Sequence, residues 1–106
     1  MSYRFMRIVV FFDLPVLTAA NRKDYRDFRK YLLQSGFMMI QESVYCKLAQ
    51  NSTVADTIIE NLKRNRPNDG IVQALKVTEK QYNKMDFIVG KKKNNVIDSD
   101  ERLIIL

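Results

Sequence analysis

Histidine is absent from all 106 residues. That absence removes a histidine general base, a histidine–cysteine nucleophile pair and the usual zinc ligand sets. Any catalysis by this chain must rest on carboxylates, hydroxyls, lysine, or a metal held by oxygen ligands. Cysteine is nearly absent too. Cys46 stands alone, so no internal disulfide can form, which fits a reducing cytosol and a cytoplasmic location. No apolar run approaches the roughly 20 residues of a bilayer-spanning helix, so no membrane association is expected. The stretch MSYRFMRIVVFF has the basic start and apolar run of a leader. It lacks a small-residue cleavage site, and Asp13-Leu14-Pro15 follows at once, so it reads as a strand. Repeats and linkers are missing, and low complexity is confined to KKKNN at 91–95.

What remains describes one domain with a modest core. Hydrophobic residues make up 46 % of the chain, too many for disorder. Lysine and arginine number 18 against 12 acidic residues, and the net charge of +6 favours a polyanionic partner. Phe5 to Phe12 is apolar at almost every position, as in a strand covered on both faces. Thr18 to Ser35 reads as a helix, with Tyr25, Phe28 and Leu32 on one face and Gly36 ending it. Phe37 to Ile40 and Ser43 to Leu48 read as strands. A second helix is expected from Ser52 or Thr53, with Asp56 completing an approximate capping box and Pro67 closing it. Asn68-Asp69-Gly70 then turns the chain into a strand from Ile71 to Thr78.

The order β-α-β-β-α-β is the α+β, ferredoxin-like plan, with two helices on one face of an antiparallel sheet. Residues 1–85 carry it. Residues 86–106 read as a strand extension of the same domain, built from Phe87-Ile88-Val89 and Arg102 to Leu106. The helices cover one face, yet the first strand is apolar on both, because Phe5, Val9 and Phe11 point opposite to Met6, Ile8, Val10 and Phe12. A second copy of the chain is the simplest cover, since most oligomers are two-fold homodimers.

The stretch RIVVFFDLP ends its apolar run on Asp13. Asp13 is either a turn former before Leu14-Pro15 or a metal ligand at the end of a sheet. A homodimer doubles it, and magnesium often takes only one or two carboxylates. Arg22, Arg26, Arg29 and Lys30 share a stripe on the first helix, a candidate phosphate contact. Their structural alternative is a solvated face partnered by Asp24 and Asp27. Lys91 and Lys92 are further backbone-contact candidates, with Lys93, Lys63, Arg64 and Arg66 beside them. Ser43 and Tyr45 are expected on one sheet face, and Cys46 reads as a buried structural thiol.

VVFFDLP followed by YRDFRKYLLQSGFMMIQESVYCKL resembles the small CRISPR-associated adaptation protein that partners the spacer integrase. The elements that carry the resemblance are Asp13, Arg29-Lys30, Gly36, Gln41 and Ser43-Val44-Tyr45. Phe11-Phe12 stand before Asp13 where a tyrosine is often seen, and the second half agrees only in length and strand order. The resemblance implies a homodimeric ferredoxin-like protein whose first strands bring their aspartates together across the two-fold axis. It also implies a DNA-holding role beside the integrase and, in some members, endonuclease cleavage dependent on Mg2+ or Mn2+. The favoured expectation is the DNA scaffold, with cleavage through paired Asp13 as its companion. The alternatives are a toxin-type endoribonuclease acting on single-stranded RNA and a non-catalytic RNA-binding module. The last lacks the glycine–aromatic spacing that places stacking rings on central strands.

Overall fold

Strand β1 (Met6–Asp13) lies inside the sheet of the computed structural model, which describes residues 5–91. It is followed by α1 (Ala19–Gln34), β2 (Met38–Gln41), β3 (Val44–Ala49), α2 (Ser52–Arg64), β4 (Ile71–Thr78) and α3 (Glu79–Asn83). The sheet runs β2-β3-β1-β4, every neighbouring pair antiparallel. This is the expected ferredoxin-like plan.

Ile8, Val10 and Phe12 of β1 point to the helix side. They meet Phe28 and Leu32 of α1, Ala55 and Leu62 of α2, and Tyr45 and Ala49 of β3. Phe12 anchors the end of β1: its ring stacks on Tyr45 at 5.6 Å and meets Phe28 edge-on at 5.4 Å.

Local corrections have local causes. α2 is capped by Asn51, whose side chain accepts from the Val54 amide at 2.9 Å, rather than by Ser52 or Thr53. Asp56 joins no capping box; it accepts from Lys76 Nζ of β4 at 2.7 Å. Ser43 is not in a strand. A register shift between Met39 and Gln41 leaves it in the connecting turn with φ of 66°, where its carbonyl accepts from the Phe12 amide. It therefore does not share a strand face with Tyr45.

The opposite sheet face carries Arg7, Val9, Phe11 and Asp13 of β1 beside Ile71, Gln73, Leu75 and Val77 of β4. Val9 and Cys46 are buried there. Part of their cover comes from within the chain, through α3, which sequence periodicity did not predict. Arg7 forks onto Glu79, with Nε–Oε1 at 2.6 Å and Nη2–Oε2 at 3.1 Å. Its guanidinium also lies 4.6 Å from the Tyr82 ring centroid. Tyr82 Oη in turn stands 3.6 Å from Cys46 Sγ. Phe11, Leu48, Ile71 and Leu75 stay exposed on this face. Phe87 to Val89 do not form the expected strand; Phe87 is irregular and a bend follows at Ile88 and Val89. Arg102 to Leu106 lie outside the described residues. Among the described residues, no helix is long and apolar enough to cross a membrane.

Burial, followed by the contact with Cys46, pushes the Tyr82 hydroxyl from 10.0 up to about 12. The folded state then holds this proton more tightly than the unfolded chain does. The resulting stability is complete below pH 10 and is lost as the pH rises through about 12. Denaturant melts of wild type and Tyr82→Phe across this window are expected to diverge, with the steeper alkaline decline in wild type. Parallel declines would show that Tyr82 does not contribute to it.

Candidate functional site

Asp13 closes β1 opposite Ile71 of β4, on the sheet face turned away from α1 and α2. Its side chain is exposed, and its carboxylate has no hydrogen bond or ion pair among the described residues. The neighbouring turn does not use it. There, Asp69 Oδ1 accepts from the Gly70 amide at 2.8 Å, while Asn68 donates from N and Nδ2 to the Asp24 carboxylate of α1. Asp13 therefore makes none of the local bonds expected of a turn former.

The backbone that carries it is held from several sides. Phe12 before it and Leu14 after it are both buried. Behind it, Gly70 adopts φ of +89°, and a Cβ there would stand 2.7 Å from the Asp13 carbonyl oxygen. Sequence reading found this turn through its Asn-Asp-Gly composition. Its contact with Asp13 carries no sequence signal, because it joins segments far apart in the chain.

Arg22, in the first turns of α1, donates from Nη1 to the carbonyls of Val16 and Leu17. It braces the loop after Asp13. Arg26, Arg29 and Lys30 are exposed along α1 and make no hydrogen bond or salt bridge among the described residues. The acids that were their expected partners are engaged elsewhere: Asp24 holds Asn68, and Asp27 binds Lys23 at 2.7 Å. Lys23 keeps the Asp27 carboxyl below its ordinary range. Arg29 lies about 10 Å along the helix axis from Arg22, at the usual rise per residue. Lys91 lines a groove of about 270 Å³ with Ile40, Gln41, Tyr82, Met85 and Phe87. Gln41 pairs with Val44, which pairs with Phe11, so this groove reaches the Asp13 end of the sheet. Lys92 lies outside the described residues. Lys63 bonds to Glu60, Arg64 to Asn61, and Arg66 to the Lys63 carbonyl.

No group of three or more acidic, cysteine or histidine residues comes together as a metal site among the described residues. Asp13 is a hard oxygen donor at the end of a buried strand, unengaged and open to water. That donor suits magnesium or manganese when a second carboxylate or a phosphate completes the set.

Residues 6–85 match the family of CRISPR associated protein Cas2. The chain is similar to the CRISPR-associated endoribonuclease Cas2 of Treponema denticola, with 52 % identity over 101 residues, covering 95 % of this chain and 100 % of the relative. It is also similar to the protein of that name from Ligilactobacillus salivarius, at 48 % identity with 95 % and 100 % covered. With that of Streptococcus mutans strain UA159 it shares 45 % identity, with 95 % and 93 % covered. The match spans β1 and its terminal aspartate through β4 and α3, and on that extent the chain belongs to the CRISPR-associated Cas2 family.

Proposed function

We propose that two copies of the chain pack through the apolar sheet face and form a rigid nucleic-acid-binding body. In this reading it holds DNA for the spacer integrase, and the paired Asp13 carboxylates centre a metal-dependent phosphodiester cleavage. The observation that carries it is Asp13 itself, exposed and unengaged on the same sheet face as the exposed Phe11, Ile71 and Leu75. Joining those apolar side chains across a two-fold axis also draws the end of β1 toward its copy. A bound Mg2+ or Mn2+ supplies charge neutralisation at the scissile phosphate. The chain's own part is to fix the carboxylate, through Phe12 and Gly70, and to offer cations to the backbone. Arg26, Arg29 and Lys30 suit that second task, within a net charge of +6.

A second reading makes single-stranded RNA the cleaved substrate. It is favoured by the endoribonuclease name that the relatives carry. Both readings use Asp13, so one experiment tests the centre and separates the substrates. Wild type and Asp13→Asn are compared on DNA and RNA, with and without magnesium. Asp13→Asn keeps the size and loses the charge. It is expected to stay folded and dimeric, to bind DNA with wild-type salt sensitivity, and to cleave at least about a hundred-fold more slowly, the scale of removing one electrostatic stabiliser. Undiminished cleavage would place the chemistry elsewhere.

A further inference from the structure

The loop between Asp13 and α1 holds an apolar side chain out in water at a fixed place. Leu17 is 86 % exposed and Val16 52 %, immediately after the buried Leu14. An exposed leucine alone is ordinary. The informative feature is how this one is held. Arg22 Nη1 donates to both the Val16 and the Leu17 carbonyls, each at 3.2 Å. Thr18 Oγ1 accepts from the Asn21 amide at 3.0 Å, and Asn21 Oδ1 accepts from the Thr18 amide at 3.3 Å. Pro15 fixes a further dihedral. A slack loop would let Leu17 fold back onto the surface, whereas this bracing keeps it presented.

We propose that Leu17, with Val16 beside it, is a wedge that enters between adjacent bases of the bound nucleic acid and unstacks them next to Asp13. The inference rests on the nucleic-acid reading above and deepens it by naming the substrate class. Aliphatic side chains on rigid supports open base steps in this way. Leu17 stands four positions after Asp13, a reach of at most about 14 Å, so the wedge acts within a few nucleotides of the carboxylate. Arg22 and the exposed Arg26 follow on α1, and cations beside an apolar tip suit a phosphate backbone better than an acid-free protein surface. Unstacking is easiest where pairing is already missing. The preferred substrate is therefore an unpaired or forked strand, not an intact duplex.

The test uses the full chain and oligonucleotides carrying 2-aminopurine, whose fluorescence rises on unstacking, in single-stranded, forked and fully paired forms. Wild type and Asp13→Asn are expected to raise the signal on forked and single-stranded probes and to prefer them over duplex. Leu17→Ser, at a position that contributes nothing to the core, is expected to melt like wild type. It should lose the fluorescence rise and bring the preference for forked probes down to parity, while Leu17→Met restores both. An undiminished rise with Leu17→Ser overturns the wedge. So does salt-sensitive binding by wild type with no rise at all, which leaves the nucleic-acid reading intact. Failure of wild type to bind any probe overturns that reading and the wedge with it. Loss of integrase association in Leu17→Ser with unstacking preserved would make Leu17 a protein seat and overturn the wedge as well.

Discussion

Gly70→Ala is expected to destabilise the chain by about 2–5 kcal/mol, out of a total that for such domains is about 5–15 kcal/mol. Two costs add. A non-glycine residue held at left-handed φ costs about 1–2 kcal/mol, and overpacking a filled site costs about 1–3 kcal/mol. Gly70 has φ of +89°, and its added Cβ would stand 2.7 Å from the Asp13 carbonyl oxygen and 2.8 Å from Leu14 Cδ2. Neither neighbour yields easily, since one is backbone and the other belongs to the core. Gly90→Ala provides the control: φ is +98°, but no atom lies within 4 Å of the added carbon. Its loss reports the dihedral cost alone. The difference in denaturant midpoint between the two variants measures the contact with Asp13. Equal losses would mean that the end of β1 is not held by this turn, and the fixed position of the carboxylate would lose its main support.

The second large effect concerns assembly. The double variant Phe11→Ser with Leu75→Glu is expected to be monomeric in sedimentation at micromolar concentration and to lose cleavage together with the dimer. Phe11 is 38 % and Leu75 52 % exposed, so the chain's own fold keeps most of its core. In a two-fold interface each change occurs twice, and the new carboxylates meet across the axis. Losing about 0.75 kcal/mol from each of four half-exposed side chains, two in each copy, weakens association at least about a hundred-fold. Asp13→Asn should leave the dimer intact, so the two variants separate assembly from chemistry. A double variant that stays dimeric would move the interface to another face, and paired Asp13 would no longer be the centre.

The sequence revealed what depends on short-range pattern. An unbroken apolar run announced β1, 3.6-residue spacing announced α1 and α2, and Asn-Asp-Gly announced the turn before β4. The element order then led to the sheet topology. What escaped was decided by contacts distant along the chain. The five residues of α3 are too few to show a period. The helix is set by a Thr78–Gln81 capping box and by the Arg7–Glu79 pair, whose members are 72 residues apart. Asp56 read as a capping residue until Lys76 of the last strand claimed it. The double-sided apolar character of β1 suggested a partner chain, and the fold covers part of that surface with its own α3. At the candidate site, the carboxylate and the basic stripe were legible as residue types. That Asp24 and Asp27 leave the stripe without neutralising partners was not.

The place of β1 between β3 and β4 also bears on how the chain comes into being. This interior strand leaves the ribosome before both of the strands that flank it, and they emerge in order of distance. Its pairing with β3 can form early, but Asp13 is matched with Ile71 and Met6 with Thr78. At about 5–20 residues per second, the β4 side of this apolar strand stays open for several seconds during synthesis. An unpaired apolar edge invites association with other nascent chains. The same long separations make closure of the sheet, rather than helix formation, the slow event in reaching the native state.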